Sequence, residues 1–198
     1  MIIVGLTGGI GSGKTTISKC FESYGIPVYI ADDEAKALMN RSKVIRRKLI
    51  HLFGESAYEY GRLNKPYLAS KIFNDKDLLS RMNAIVHPKV ASHFKRWLKK
   101  QDAPYIIKEV AIIFENNLES QYSYIITVVA DKNLRIARVM KRDEVSREKI
   151  QSIMSNQLPD NKKVEKSDFV IENNDLDSAK RQAIDIHHQI LQIINKKY

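Results

Sequence analysis

The 198-residue chain has a single cysteine, Cys20, so no internal disulfide can form, which fits a reducing cytoplasm. No apolar run approaches the ~18 residues needed to cross a bilayer, so no membrane partner is expected. The opening MIIVGLT is apolar from its second residue and has no basic segment ahead of it, so it reads as a buried strand rather than a secretory signal. Internal repeats, low-complexity tracts and an interdomain linker are lacking, and the length suits one well-filled core better than two. There is no zinc-ligand spacing, no aromatic-rich RNA-binding motif, and no N-K-x-D pattern of the kind by which switch GTPases read their base.

Positive charge is plentiful. Lys and Arg number 33 against 23 Asp and Glu, a formal net charge of +10. A nucleic-acid surface would produce this excess. So would a small enzyme whose two ligands both carry phosphates. Solvated pairs such as Lys99-Lys100, Lys162-Lys163 and Lys196-Lys197 account for part of it without any function. Charge alone does not choose among these.

Short β-branched runs alternate with longer amphipathic segments, the pattern of an α/β fold with a parallel sheet. Strands are predicted at Ile2 to Thr7, Pro27 to Ala31, Tyr105 to Val110, Tyr124 to Ala130 and Phe169 to Glu172. Helices are predicted at Thr15 to Tyr24, Asn133 to Lys141 and Leu176 to Asn195, the last with apolar positions at Ala179, Ala183, Ile186, Ile190 and Ile193. The stretch 32–100 is mostly helical and far longer than the ~10–12 residues of a minimal crossover. It is expected to pack beside the sheet as a wall of the acceptor site. A charged segment, 142–166, reads as a mobile helical lid. The expected whole is a single domain over 1–198, with its core in 1–31, 101–141 and 167–198.

GGIGSGKT, from Gly8 to Thr15, fits G-x-x-x-x-G-K-[ST]. An apolar strand precedes it and an amphipathic segment follows, which is the context a phosphate loop requires. Gly8, Gly11 and Gly13 let successive N–H groups turn inward on one anion, and the following helix adds the positive end of its dipole. Lys14 reaches the β- and γ-phosphates, and the Thr15 hydroxyl suits Mg²⁺. Gly9, Ser12 and Thr16 complete the expected nucleotide-binding set.

Such a loop defines what is bound, not where the phosphate goes. A motor ATPase would carry an acidic pair at the end of an apolar strand, and the nearest candidate is YIIKEV with Glu109. A small-molecule kinase needs a carboxylate beside the acceptor hydroxyl and arginines that close over the phosphoryl group. Asp32 and Asp33 at the edge of the second strand offer the carboxylate, with helix capping as the alternative use. Arg135, Arg138, Arg142 and Arg147 offer the arginines. Arg135 reads best as part of a solvated face, whereas Arg142 sits where helix passes into lid.

Several motifs in order resemble those of the dephospho-CoA kinase family: GLTGGIGSGKTT, GIPVYIADDEAK, VHPKV, VAIIFE, RVMKRDEVSRE and SDFVIEN. The resemblance extends to about Asn173. It implies a three-layer P-loop NTPase fold with a five-stranded parallel sheet, a helical acceptor-side insert and a small helical lid. It also implies transfer of the ATP γ-phosphoryl group to the 3′-hydroxyl of the adenosine ribose of dephospho-CoA, in a cytoplasmic enzyme. The expected partner is that small molecule rather than nucleic acid, and a monomer is expected rather than a stable oligomer.

Carried over by position, Asp32 is the base or orienter of the hydroxyl. Arg142 is the lid arginine, Arg138 lies near the ATP base and phosphates, and Asn173 lies near the nucleotide base. His87 and Thr7 fall on the acceptor side; capping of a helix opened by Pro88 is the other reading of His87. Glu109 is a candidate for Mg²⁺ through water. Four departures from the family pattern stand out: Ile30 and Glu109 where Asp is usual, Ala111 where Pro is usual, and no glycine after Asn173. The bland rivals are another P-loop kinase of small molecules or nucleoside monophosphates, and a nucleic-acid-binding ATPase.

Overall fold

The computed structural model describes residues 1–73 and 75–197. The chain runs through β1 (Ile2–Thr7), α1 (Lys14–Ser23), β2 (Val28–Ile30), α2 (Ala31–Arg41), α3 (Lys43–Phe53), β3 (Tyr58–Glu59), β4 (Arg62–Leu63), α4 (Lys65–Ile72) and α5 (Lys76–Leu98). It continues through β5 (Tyr105–Glu109), β6 (Tyr124–Val129), α6 (Lys132–Asp143), α7 (Arg147–Ser155), α8 (Asp160–Glu165), β7 (Phe169–Glu172) and α9 (Leu176–Lys197). Two compact units emerge: Met1–Ile30 with the chain from Asp102 onward, and Ala31–Gln101.

The first unit is built on the predicted five-stranded sheet, ordered β2-β5-β1-β6-β7 with every pairing parallel. Its strands are apolar almost throughout because both faces are covered. On one face Val4, Leu6, Tyr105, Ile107, Ile126 and Val128 join Ile17 and Phe21 of α1 and Ala179, Ala183, Ile186 and Ile190 of α9 in a single core. The four α9 positions recur at helical spacing, which is why the sequence showed them. On the other face Gly5 leaves room for Ile113 and Tyr122, which a Cβ would meet. Register aligns Glu109 with Leu6 on one side and Ile30 on the other, so the C-terminal ends of β1, β2 and β5 share one edge.

The second unit is helical as expected, with a core of Leu38, Ile45, Leu49, Phe53, Leu68 and Val86. Ser42, Asn64 and Asp75 cap α3, α4 and α5 by accepting from a backbone N–H three residues on. The β3–β4 hairpin was not anticipated. Its two-residue turn places Tyr60 at φ 47° and Gly61 at φ 78°, the positive values a twisted hairpin needs. The expectation that Pro88 opens a helix is also corrected: α5 begins at Lys76 behind its Asp75 cap and runs through Pro88. His87 therefore lies mid-helix and caps nothing. This unit holds 16 Lys and Arg against 7 Asp and Glu, so nine of the ten net positive charges fall within Ala31–Gln101.

Between β5 and α9 the Tyr105 hydroxyl lies 2.7 Å from His187 Nδ1, both buried. Burial raises the phenol well above its ordinary pKa, so it keeps its proton, and the two groups share a hydrogen bond. Burial, and then neighbouring His188, hold the imidazole below its ordinary pKa. The folded state thus favours neutral His187. Its contribution is complete above about pH 6.5, the unfolded value, and is lost as pH falls through the lower folded value. Urea unfolding near pH 7.5 and near pH 5.5 should show the wild type losing more stability across this interval than His187→Asn, whose acceptor does not titrate.

Candidate active site

The chain leaves β1 at Thr7, crosses a glycine-rich loop and enters α1 at Lys14. Gly13 precedes the helix at φ 96° with no side-chain cap, so the first N–H groups of α1 face an anion site rather than a capping oxygen. Lys14 Nζ bends back to donate to the Gly8 carbonyl at 2.8 Å, narrowing the loop. A Cβ on Gly13 would run into the Asn173 amide, and one on Gly9 into the Arg135 guanidinium. These glycines therefore admit neighbouring side chains as well as unusual dihedrals. Asn173, buried after β7, donates through Nδ2 to the Ser12 carbonyl at 2.8 Å.

Over the loop opens a cleft of about 250 Å³ lined by Gly11, Gly13, Lys14, Thr15, Thr16, Arg138 and Arg142. The phosphate loop and two of the predicted arginines thus come together within one unit. Buried Arg138 Nη1 and Ser12 Oγ have no hydrogen-bond partner among the described residues, so donors remain for an anionic group. These residues fit a nucleoside phosphate. Arg142 is paired bidentately with its exposed neighbour Asp143, Nε to Oδ1 and Nη2 to Oδ2 both at 2.7 Å. With the Arg142 side chain 63% exposed, that pair is weak and easily exchanged.

At the sheet edge Glu109 is buried and accepts from Ser18 Oγ at 2.7 Å. Thr7 is fully buried, and its hydroxyl donates to the Ala111 carbonyl at 3.2 Å. Asp32, Asp33 and Glu34 occupy the first turn of α2, where acidic groups complement the helix dipole. The capping expected of one of the two aspartates does not occur, because α2 starts at Ala31, directly after β2, with both inside it. Asp33 is bound to Lys36 at 2.9 Å, while exposed Asp32 has no hydrogen bond or ion pair among the described residues. Asp32 and exposed His87 belong to the helical unit, the remaining predicted residues to the sheet unit.

Arg135 overturns its sequence reading. It is 6% exposed, not solvated, and donates through Nε to the Ile10 carbonyl at 2.8 Å. Gln157 was missed altogether, since its partner is the Ile10 N–H, 147 positions away. Fully buried Lys163, read as a solvated loop lysine, pairs with Glu115 Oε1 at 2.8 Å. Burial pushes the Glu115 carboxyl up, but the Lys163 contact and backbone N–H donors outweigh it and leave the group below its ordinary value.

The parallel sheet and the loop between β1 and α1 define a P-loop kinase fold. A solved Thermus thermophilus protein shares it with a TM-score of 0.87 and 31% identity, covering 95% of this chain and 96% of its own. So does a dephospho-CoA kinase from Campylobacter jejuni, with a TM-score of 0.68 and 21% identity over 95% and 96% of the two chains. The dephospho-CoA kinase family model matches residues 2–179. A Bacteroides fragilis dephospho-CoA kinase is 40% identical over 173 residues, 87% of this chain and 84% of that protein. The chain belongs to the dephospho-CoA kinase family.

Gly13→Ala should raise the dissociation constant for ADP by about tenfold or more, since a left-handed residue with a Cβ costs about 1–2 kcal/mol and the methyl displaces Asn173. Adding Asn173→Ala should recover only part of the loss, because the dihedral strain remains. Titration calorimetry on both variants checks this.

Proposed function

We propose that the chain transfers the γ-phosphoryl group of ATP to the 3′-hydroxyl of the adenosine ribose of dephospho-CoA, giving coenzyme A and ADP. The observation that carries this is a cationic cleft over a phosphate loop in a chain that matches dephospho-CoA kinases along most of its length. The helical unit, with nine of the ten net charges, suits an acceptor that already bears a diphosphate.

In this reading the loop amides between Gly8 and Thr15 hold the β- and γ-phosphates, apart from Ile10 and Ser12, whose N–H groups donate to Gln157 and to the Gly9 carbonyl, and Lys14 exchanges the Gly8 carbonyl for phosphate oxygens. Arg138 contributes its free donor at the nucleotide, and Arg142 leaves Asp143 to stabilise charge on the transferring group. Asn173, at the same loop, flanks the base. The Thr15 hydroxyl would hold Mg²⁺, with Glu109 as a further candidate through water, and the ion would neutralise charge on the phosphate oxygens. Asp32 orients the ribose hydroxyl and takes its proton late. His87 contacts the acceptor, and Thr7, buried and bonded to the Ala111 carbonyl, supports the end of β1.

Residues 32–100 serve as the acceptor wall and 142–166 as the lid, whose closure keeps water from the γ-phosphate. The enzyme is read as a cytoplasmic monomer, and its lone free cysteine fits a reducing compartment. Among the described residues no helix is long and apolar enough to cross a membrane.

An acceptor panel read by ADP release and product mass should favour dephospho-CoA over nucleoside monophosphates and other small alcohols. ATP hydrolysis that is indifferent to dephospho-CoA but stimulated by DNA or RNA, with steep salt dependence, identifies the rival nucleic-acid ATPase instead. Lys14→Ala and Arg142→Ala should each lower kcat by roughly 100-fold, the usual scale for losing one oriented charge stabiliser. Asp32→Asn should lose most turnover while still binding ATP; near-normal turnover removes Asp32 as the base.

A further inference from the structure

Ile10 stands at the outer bend of the phosphate loop, and two side chains from outside the loop hold its backbone. Its N–H donates to Gln157 Oε1 at 2.9 Å, and its carbonyl accepts from Arg135 Nε at 2.8 Å. Arg135 comes from α6, and Gln157 from the turn between α7 and α8. The Arg135 guanidinium also binds Asp160, the first residue of α8, through Nη1. The two holds are thus joined through the segment 157–160. That segment is anchored in turn, because the Leu158 N–H donates to Glu115 Oε1 at 2.9 Å, the atom that also pairs with buried Lys163. Among the described residues neither Arg135 nor Gln157 lines the cleft.

We propose that Arg135 and Gln157 are positioning residues that set the phosphate loop in its binding shape before nucleotide arrives, with Asp160 fixing the Arg135 guanidinium. The proposal rests on reading the chain as an ATP-using kinase. A loop with four glycines between Gly8 and Gly13 has much conformational freedom to lose, and an unset loop charges that loss against nucleotide affinity. One neutral and one charge-assisted hydrogen bond at the bend remove most of that freedom in advance. The close approach of Gly9 and Gly11 to Arg135 fits the same role: a Cβ on Gly9 would strike the guanidinium, and one on Gly11 the Arg135 carbonyl. Both residues act on ground-state nucleotide binding, not on the transferring group.

The test compares Gln157→Leu, which removes the acceptor at similar volume, with Gln157→Glu, which keeps an acceptor oxygen, and with Arg135→Met. Calorimetry with ADP gives the affinity, steady-state assays separate KM for ATP from kcat, and thermal unfolding reports the fold. Gln157→Leu and Arg135→Met should raise Kd for ADP and KM for ATP about tenfold, on the scale of one lost hydrogen bond, with kcat at saturating ATP within about threefold. Gln157→Glu should stay close to wild type. Ile190→Val, a core change remote from the loop in sequence, should lower Tm without moving Kd. The proposal is overturned if Gln157→Leu lowers Tm but leaves Kd unchanged, if Gln157→Glu loses as much affinity, or if Ile190→Val weakens ADP equally. Should Arg135→Met fail to fold, the Gln157 pair decides. A wild type that binds ADP yet leaves dephospho-CoA unphosphorylated removes the proposed acceptor only, and the ADP comparison still decides the positioning role.

Discussion

A loop that binds phosphate has to leave its own amide donors unspent, so it cannot be held in shape by the hydrogen bonds that hold a helix or a strand. Ties from outside the loop meet that constraint. Lys14 binds the Gly8 carbonyl, Arg135 and Gln157 hold the two sides of Ile10, and Asn173 holds the Ser12 carbonyl. Every one of these external ties but Gln157 engages a carbonyl, leaving most loop N–H groups for the ligand. The sheet serves the same end. β1 lies at its centre, flanked by β5 and β6, so the strand delivering the loop is fixed along both edges.

Charge is divided to match. Outside Ala31–Gln101 the chain holds 17 Lys and Arg against 16 Asp and Glu, nearly neutral, whereas the helical unit is strongly basic. In the sheet unit several cations are already spent: Arg135 on Asp160 and Lys163 on Glu115. Those at the cleft differ, since Arg138 keeps a free donor and Arg142 holds only an exposed neighbour. The global excess that looked like a nucleic-acid surface is therefore largely a property of one unit, and in the other it resolves into a few aimed groups.

What the sequence revealed follows from the range of the forces involved. The strands, α1 and α9 were legible because burial imposes a period along the chain, and the loop because its glycines are contiguous. The β3–β4 hairpin escaped because its strands are two residues long and its turn rests on Tyr60 at positive φ, which few tyrosines adopt. Pro88 misled because proline commonly opens helices, yet packing of Val86 and Phe94 on α5 outweighs one missing bond. Arg135 and Gln157 carried no usable signal at all. Their partner is a backbone group, which has no side-chain identity to read, more than a hundred positions distant.

The departures from the family pattern also acquire a physical sense. Glu109, longer than the usual aspartate, uses its reach to accept from Ser18 on α1. Ile30 removes one carboxylate from the segment at the end of β2, and Asp33 is engaged by Lys36. Asp32 is then the acidic group of that segment with no partner to give up, which favours it as the group that meets the acceptor hydroxyl. A loose phosphoryl transition state asks little of a base and much of placement. The ties on Ile10 and Ser12 act earlier, on the shape of the loop that receives the nucleotide, and so on affinity rather than on the transfer step.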